Sequence, residues 1–181
     1  MCLCLSRRRF RWRHNLDSGC AVTASPYPPN FPRVGFTWGL KRSFIRYIAY
    51  LPDGNHVAED GAYLNEATLF TYPYSSTSVS DAGELRFRGT VRIGGHGGLL
   101  GVLLSDPWVH LSGNQGVLSV IDPGKWPSRS HRVVLADLEV ELQDVGEGSR
   151  LHGLATLAES GVALFDGHYP RGTALDPVVI H

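Results

Sequence analysis

Three short segments of this chain bring together side chains whose types and spacing could do chemistry. The first is Trp38-Gly39-Leu40-Lys41-Arg42-Ser43-Phe44-Ile45-Arg46-Tyr47. The second is Gly89-Thr90-Val91-Arg92-Ile93-Gly94-Gly95-His96-Gly97-Gly98-Leu99. The third runs from Leu157-Ala158-Glu159-Ser160-Gly161 through Phe165, His168 and Tyr169, and ends in Leu175-Asp176-Pro177. Ser43 and Tyr47 are four residues apart, so on a helix a hydroxyl and a phenol share one face. Arg42 and Arg46 lie beside them as candidate cations for an anionic group. His96 is surrounded by glycines, which permit close backbone approach to a flat partner.

Each of these residues also has an ordinary structural reading. A tyrosine on an apolar helical stripe is usually core, and a histidine in a glycine-rich turn is usually exposed. Ser43 reads as a polar edge residue, Phe165 and Tyr169 as core and rim aromatics, and Trp38 as packing for the helix start. His168 beside Tyr169 is a second imidazole that competes as a ligand. Ser43, His96 and Asp137 can be grouped as a hydrolytic triad. No G-x-S-x-G elbow accompanies the serine, and a helical serine is poorly posed for attack.

The elements that must position these groups are mostly strands. Leu40, Phe44, Tyr47, Ile48 and Leu51 recur at three- and four-residue steps, predicting a helix over Thr37–Leu51, capped by Thr37 and stopped by Pro52-Asp53-Gly54. Leu85, Phe87, Val91 and Ile93 alternate with Arg86, Arg88, Thr90 and Arg92, predicting one strand with a solvated basic face. Gly94–Gly98 reads as a tight turn, followed by strands at 99–104, 108–111, 116–121, 133–142 and 151–157. Asp137, Glu139 and Glu141 fall on the outward side of the fourth of these. Ala158–Phe165 is long enough for two helical turns. The expected fold is mainly β, an antiparallel sandwich- or barrel-like domain with one principal helix near the N-terminus and a short C-terminal helix.

Composition agrees. The 181 residues amount to one domain, with 21 glycines and 11 prolines, a turn content that favours short strands. Lysine plus arginine balance aspartate plus glutamate at 17 each, so overall charge does not point to nucleic acid or an acidic membrane as the main partner. No run of eighteen apolar residues is present to span a bilayer. Residues 1–32 read as a disordered basic and proline-rich tail, and 33–181 as the domain. Ser6-Arg7-Arg8-Arg9-Phe10 looks like a twin-arginine signal, but Arg11, Arg13, His14, Asn15 and Asp17 occupy the place of its apolar region. Cys2, Cys4 and Cys20 all fall in the tail and form neither a disulfide framework nor zinc spacing.

In order along the chain, the three segments resemble the HtaA domain of actinobacterial haem-uptake proteins. That family carries W-G-x-K-x-S-F-x-x-Y, then G-x-V-x-F-x-G-H-x-G-x-L, then T-x-x-G-x-x-x-F-x-x-x-Y ending in L-D-P. The similarity covers about Phe36 to Val178, with Ile93 in place of a phenylalanine and Ala158 in place of a threonine. The resemblance implies that Tyr47 ligates ferric haem iron, that His96 hydrogen-bonds Tyr47, and that Ser43 lies near the haem propionates. It further implies that Phe165 and Tyr169 line or stack on the haem b. Tyrosine suits such a role, since its phenolate is a hard anionic oxygen ligand for iron(III), and a histidine N–H donating to that oxygen favours the phenolate further.

The function implied is capture of ferric haem and its relay, without catalysis, in haem-iron acquisition. The partners would be haem donors, other HtaA-type domains or a transporter's binding protein, and the place the cell surface. The incomplete signal leaves a cytoplasmic location as the alternative. Two other functions compete: a haem-dependent enzyme of peroxidase or haem-degrading type, and a carbohydrate-binding or adhesion sandwich using the tryptophans and tyrosines.

Overall fold

The computed structural model describes residues 35–75, 83–144, 146 and 149–181. The tail expected over 1–32, with its arginine run and three cysteines, lies outside the described residues.

Strands β1 (Phe36–Trp38), β2 (Asn55–Glu59), β3 (Tyr63–Leu64), β4 (Phe70–Tyr72), β5 (Glu84–Arg86) and β6 (Thr90–Gly95) form the first half of the domain, with helix α1 (Arg42–Tyr50) after β1. Strands β7 (Leu100–Ser105), β8 (Trp108–Ser112), β9 (Gln115–Ile121), β10 (Arg132–Asp144), β11 (Ser149–Leu157) and β12 (Val178–Ile180) form the second. Nine strands make one sheet in the order β3-β4-β1-β12-β11-β10-β9-β8-β5, and β2-β6-β7 make a smaller one. Every pairing is antiparallel. Just past β4, Tyr74 bridges Phe87, which lies just past β5. The Ser75 N–H donates to the Arg86 carbonyl at 2.9 Å and the Arg88 N–H to the Pro73 carbonyl at 3.0 Å. Opposite ends of the large sheet are thereby drawn together, giving a barrel-like closure.

The period-2 pattern explains the wall of this barrel. On β10, Leu138 and Val140 point inward while Asp137 and Glu139 face solvent, and on β11 Leu151, Ala155 and Leu157 are buried. Phe36 packs against Tyr72 and Phe87 at ring-centroid distances of 5.9 and 5.4 Å, deep in the core. Tyr72 is fully buried, and its hydroxyl has no hydrogen-bond partner among the described residues. Burial pushes its phenol well above the usual tyrosine range, with the Asp106 charge adding to the effect.

The structure departs from the sequence expectation in three places. The helix begins at Arg42 rather than Thr37, because Phe36–Trp38 is a strand held between β4 and β12. Thr37 caps nothing; its hydroxyl is buried against that of Thr71 at 3.2 Å. The chain turns into the helix through Leu40, which has a left-handed φ of 59°. Second, the alternating stretch from Leu85 to Ile93 is two strands in two sheets, broken at Gly89 with φ 123°. A Cβ at Gly89 would lie 2.5 Å from the Ala62 nitrogen, so both the space and the backbone conformation require glycine there. Third, the arginine face is engaged rather than simply solvated: Arg86 pairs with Glu84 at 2.6 Å and stacks on Trp108, and Arg92 pairs with Glu59 and stacks on Trp126. The expected C-terminal helix is a 3-10 segment, Glu159–Phe165.

Candidate functional site

A cavity of about 530 Å³ opens where three elements meet: α1, the turn between β6 and β7, and the 3-10 segment with the loop that follows it. Helix α1 contributes Phe44 and Tyr47, which point the same way because they are three residues apart. The turn and β7 contribute His96, Leu99, Leu100 and Val102. The C-terminal segment contributes Phe165, Asp166, His168 and Tyr169.

The floor is aromatic. Phe44, Phe165 and Tyr169 meet edge-to-face in all three pairings, with centroids 5.5 to 6.4 Å apart. Phe44 and Phe165 are buried, whereas Tyr169 is partly exposed. At the mouth, Tyr47 is 46% exposed and Leu99 87% exposed. The helical stripe is therefore split. Ile48 serves the core, Phe44 is buried in the cavity floor, and Tyr47 stands exposed at the mouth.

The Tyr47 hydroxyl is hydrogen-bonded to Nε2 of His96, across 49 residues of sequence. Their rings are 5.8 Å apart and inclined at 41°. This bond can be written two ways, with the phenol donating to a bare Nε2 or a protonated Nε2 donating to a phenolate. Either way one proton lies between the two groups. The triad reading is not assembled. His96 is taken up by Tyr47, Ser43 is exposed on α1, and Asp137 faces outward on β10, with no hydrogen bond joining them.

Two carboxylates that the sequence marks only as part of a helix stop and of a motif end set this geometry. Asp53, just past α1, accepts the Gly97 N–H at 2.5 Å, and this bond is the main reason its carboxyl lies below the usual carboxylate range. It therefore ties the end of the helix that carries Tyr47 to the turn that carries His96. Within that turn His96, Gly97 and Gly98 have φ values of 55°, 64° and 92°. Space is not the constraint at the two glycines, since a Cβ at either would meet nothing within 4 Å; the left-handed backbone is.

Asp176 anchors the other end of α1. Its Oδ1 accepts the Arg42 N–H at 3.1 Å, supplying from a distance the cap that Lys41 does not provide. Its carbonyl accepts from the Trp38 indole at 2.7 Å, and its N–H donates to the Leu40 carbonyl at 2.9 Å. Lys41 reaches the Ala174 carbonyl at 3.0 Å and lies 5.5 Å from the centre of the Tyr169 ring. The Leu175-Asp176-Pro177 end of the third segment thus clamps the start of the first.

The structure brings together Tyr47, His96, Phe165 and Tyr169, with His168 on the same cavity. Ser43 sits one turn before Tyr47, exposed, and is not on the cavity wall. A second cavity, of about 520 Å³, is lined by charges that largely satisfy one another. Arg129 binds Asp60 at 3.0 Å and Asp106 at 2.9 Å. Nearby, Arg132 is half-buried against the Trp108 ring and held by the Asp106 and Ser119 carbonyls; desolvation lowers it to about 10. This network fastens the 122–132 loop to the barrel.

The sequence profile of the HtaA domain family, described as Htaa, matches residues 33–181. Among solved structures, the C-terminal domain of HtaA from Corynebacterium glutamicum is similar at a TM-score of 0.62 and 24% identity, over 81% of this chain and 94% of that one. The heme-binding protein HtaB from the same organism is similar at a TM-score of 0.60 and 22% identity, over 80% of this chain and 89% of that one. No protein of curated function matches.

Proposed function

The chain belongs to the HtaA domain family, and from that premise we propose that it captures ferric haem in the cavity between α1, the His96 turn and the C-terminal segment, and relays it in haem-iron acquisition. The observation that carries this reading is the Tyr47–His96 hydrogen bond at the mouth of an aromatic-floored cavity. Relatedness to a solved heme-binding protein, HtaB, supports the same ligand.

The residues present fit haem b. The cavity is within the size range of cofactor sites, and its walls are apolar apart from a few convergent polar groups. Bound haem supplies a ferric iron that accepts a hard, anionic oxygen donor, and tyrosine is a known protein ligand of this kind. In this chain Tyr47 offers that oxygen, and its exposure leaves the approach open. His96 Nε2 would accept the phenol proton and hold it in a charge-assisted bond to the Tyr47 oxygen. Return of the proton to the Tyr47 oxygen restores the neutral pair and favours release, as a relay protein requires. Phe165 and Tyr169 would present rings to the ligand, and Leu100 and Val102 line an apolar side of the cavity. Ser43, one turn before Tyr47, is the candidate polar contact for a propionate at the open edge.

The role proposed is binding without catalysis. Among the described residues, the His96 ring is hydrogen-bonded to Tyr47 and not to Ser43 or Asp137. Other HtaA-type domains, haem donors or a transporter's binding protein are the partners this role calls for, and the cell surface is its place. Among the described residues no helix is long and apolar enough to cross a membrane. Titrating the purified chain with hemin tests the reading. A saturable Soret band at one equivalent is expected, and its absence would dismiss haem in favour of the sugar-binding alternative.

A further inference from the structure

We infer that the second cavity is a binding site for a small monocarboxylate, whose charged end is held by Arg88. The inference is independent of the haem reading. The space of about 520 Å³ is within the range of small-molecule sites. Of the three arginines that line it, two are engaged. Arg129 binds Asp60 and Asp106, and Arg86 pairs with Glu84 and lies 4.2 Å from the centre of the Trp108 ring. The Arg88 side chain makes no hydrogen bond, ion pair or ring contact among the described residues. The two lining aspartates are turned to other donors. Asp106 accepts the Gly89 N–H at 2.9 Å on Oδ1 and Arg129 on Oδ2. Asp60 Oδ2 accepts both Arg129 and the Thr90 hydroxyl.

Arg88 is nevertheless firmly placed. Its N–H donates to the Pro73 carbonyl, which fixes the backbone. Its guanidinium lies against the turn at Gly61, where an added Cβ would come within 3.0 Å of Nη1 and 3.3 Å of Cζ. Gly61 has a φ of 105°, so space and backbone conformation both favour glycine at the point where the guanidinium rests. A positioned guanidinium without an acceptor of its own is suited to a bidentate carboxylate. Charge selects the ligand further. With Arg132, which stacks on Trp108 at 3.9 Å, four arginines meet the three carboxylates Glu84, Asp60 and Asp106, leaving one positive charge. A single carboxylate balances that charge, whereas a phosphate dianion would bring a second negative charge toward Asp60 and Asp106. Phe87 and Trp108 line the same cavity and offer apolar surface to the stem that carries the carboxylate.

The test titrates the full chain with phenylacetate, a carboxylate on a short aromatic stem, and follows the Arg88 Nε–H and Trp108 indole N–H resonances. Both should shift saturably. Phenylacetamide, which lacks the charge, should produce no saturable shift, and inorganic phosphate at matched ionic strength should bind more weakly than phenylacetate. R88Q should keep its circular dichroism spectrum and weaken phenylacetate binding by about tenfold or more, the worth of a hydrogen bond to a charged group. R88K, which restores the charge without the planar fork, should recover part of the affinity. No saturable shift in wild type, or wild-type affinity in R88Q, would overturn the assignment. Equal binding of the amide would overturn it in favour of a merely apolar pocket, and phosphate binding as tight as phenylacetate would overturn the monocarboxylate class.

Discussion

The Asp53 carboxylate accepts the Gly97 N–H at 2.5 Å, so a residue just past the Tyr47 helix also fixes the turn that holds His96. One short bond therefore sets the distance across which a phenol and an imidazole share a proton.

Asp53 has a depressed pKa, caused first by the Gly97 N–H. A carboxyl depressed on folding contributes stability that is present above its unfolded pKa and is lost as the pH falls through the folded value. Unfolding measured against pH should show this loss at and below the ordinary carboxylate range, together with faster exchange of the Gly97 amide. D53N should remove that part of the acid dependence and loosen the turn at neutral pH. An unchanged acid limb in D53N would assign the effect elsewhere.

His96 adopts a left-handed backbone at φ 55°, which costs a residue with a Cβ about 1 kcal/mol relative to glycine. Without ligand, H96G should therefore be more stable than H96A by about that amount, although both lose the ring. Chemical denaturation of the two variants compares them directly. Equal stabilities would mean that the turn relaxes when the imidazole is gone.

Asp176 caps α1 from outside the helix. D176A should cost about 1 kcal/mol of stability, in the range of a lost cap, and D176N less because it retains an oxygen acceptor. Weaker hemin binding should accompany the D176A loss, since Tyr47 rides on the same helix.

Tyr72 buries a hydroxyl without a partner among the described residues. Y72F should be neutral or stabilising by about 1 kcal/mol, because an unsatisfied buried polar group is removed and the ring is kept. The folded phenol has a raised pKa, so its neutral form is favoured and its contribution is lost only as the pH rises past the ordinary tyrosine range. Y72F should lack that alkaline loss. A clear destabilisation of Y72F at neutral pH would show that the hydroxyl is bonded after all.

What the sequence disclosed depended on range. Local periods were readable: Leu138 and Val140 face in while Asp137 and Glu139 face out, as the alternation of β10 implies. Phe44 and Ile48 were likewise legible as the buried helix stripe. Features fixed by distant partners were not. β1 reads as helix locally and is a strand only because β4 and β12 flank it. At Gly89, where the stretch splits, the close approach of Ala62 requires glycine, and no local pattern announces that contact. Tyr47 and His96, 49 residues apart, were paired through the order of the family motifs and not through any periodicity. Asp53 and Asp176 carried weak signals, a helix stop and the end of a motif, and only the fold reveals them as clamps.

Hemin titration of Y47F beside H96A decides which side chain binds the iron. Tyr47→Phe removes the oxygen and keeps the ring, so it should strip most iron-dependent binding while the fold persists. His96→Ala should cost less, about ten- to hundredfold, the worth of one hydrogen bond to a charged group at about 1.5–3 kcal/mol. If Y47F kept the wild-type ferric spectrum and affinity while H96A lost both, the iron ligand would be His96, and ligation by the Tyr47 phenolate would be contradicted.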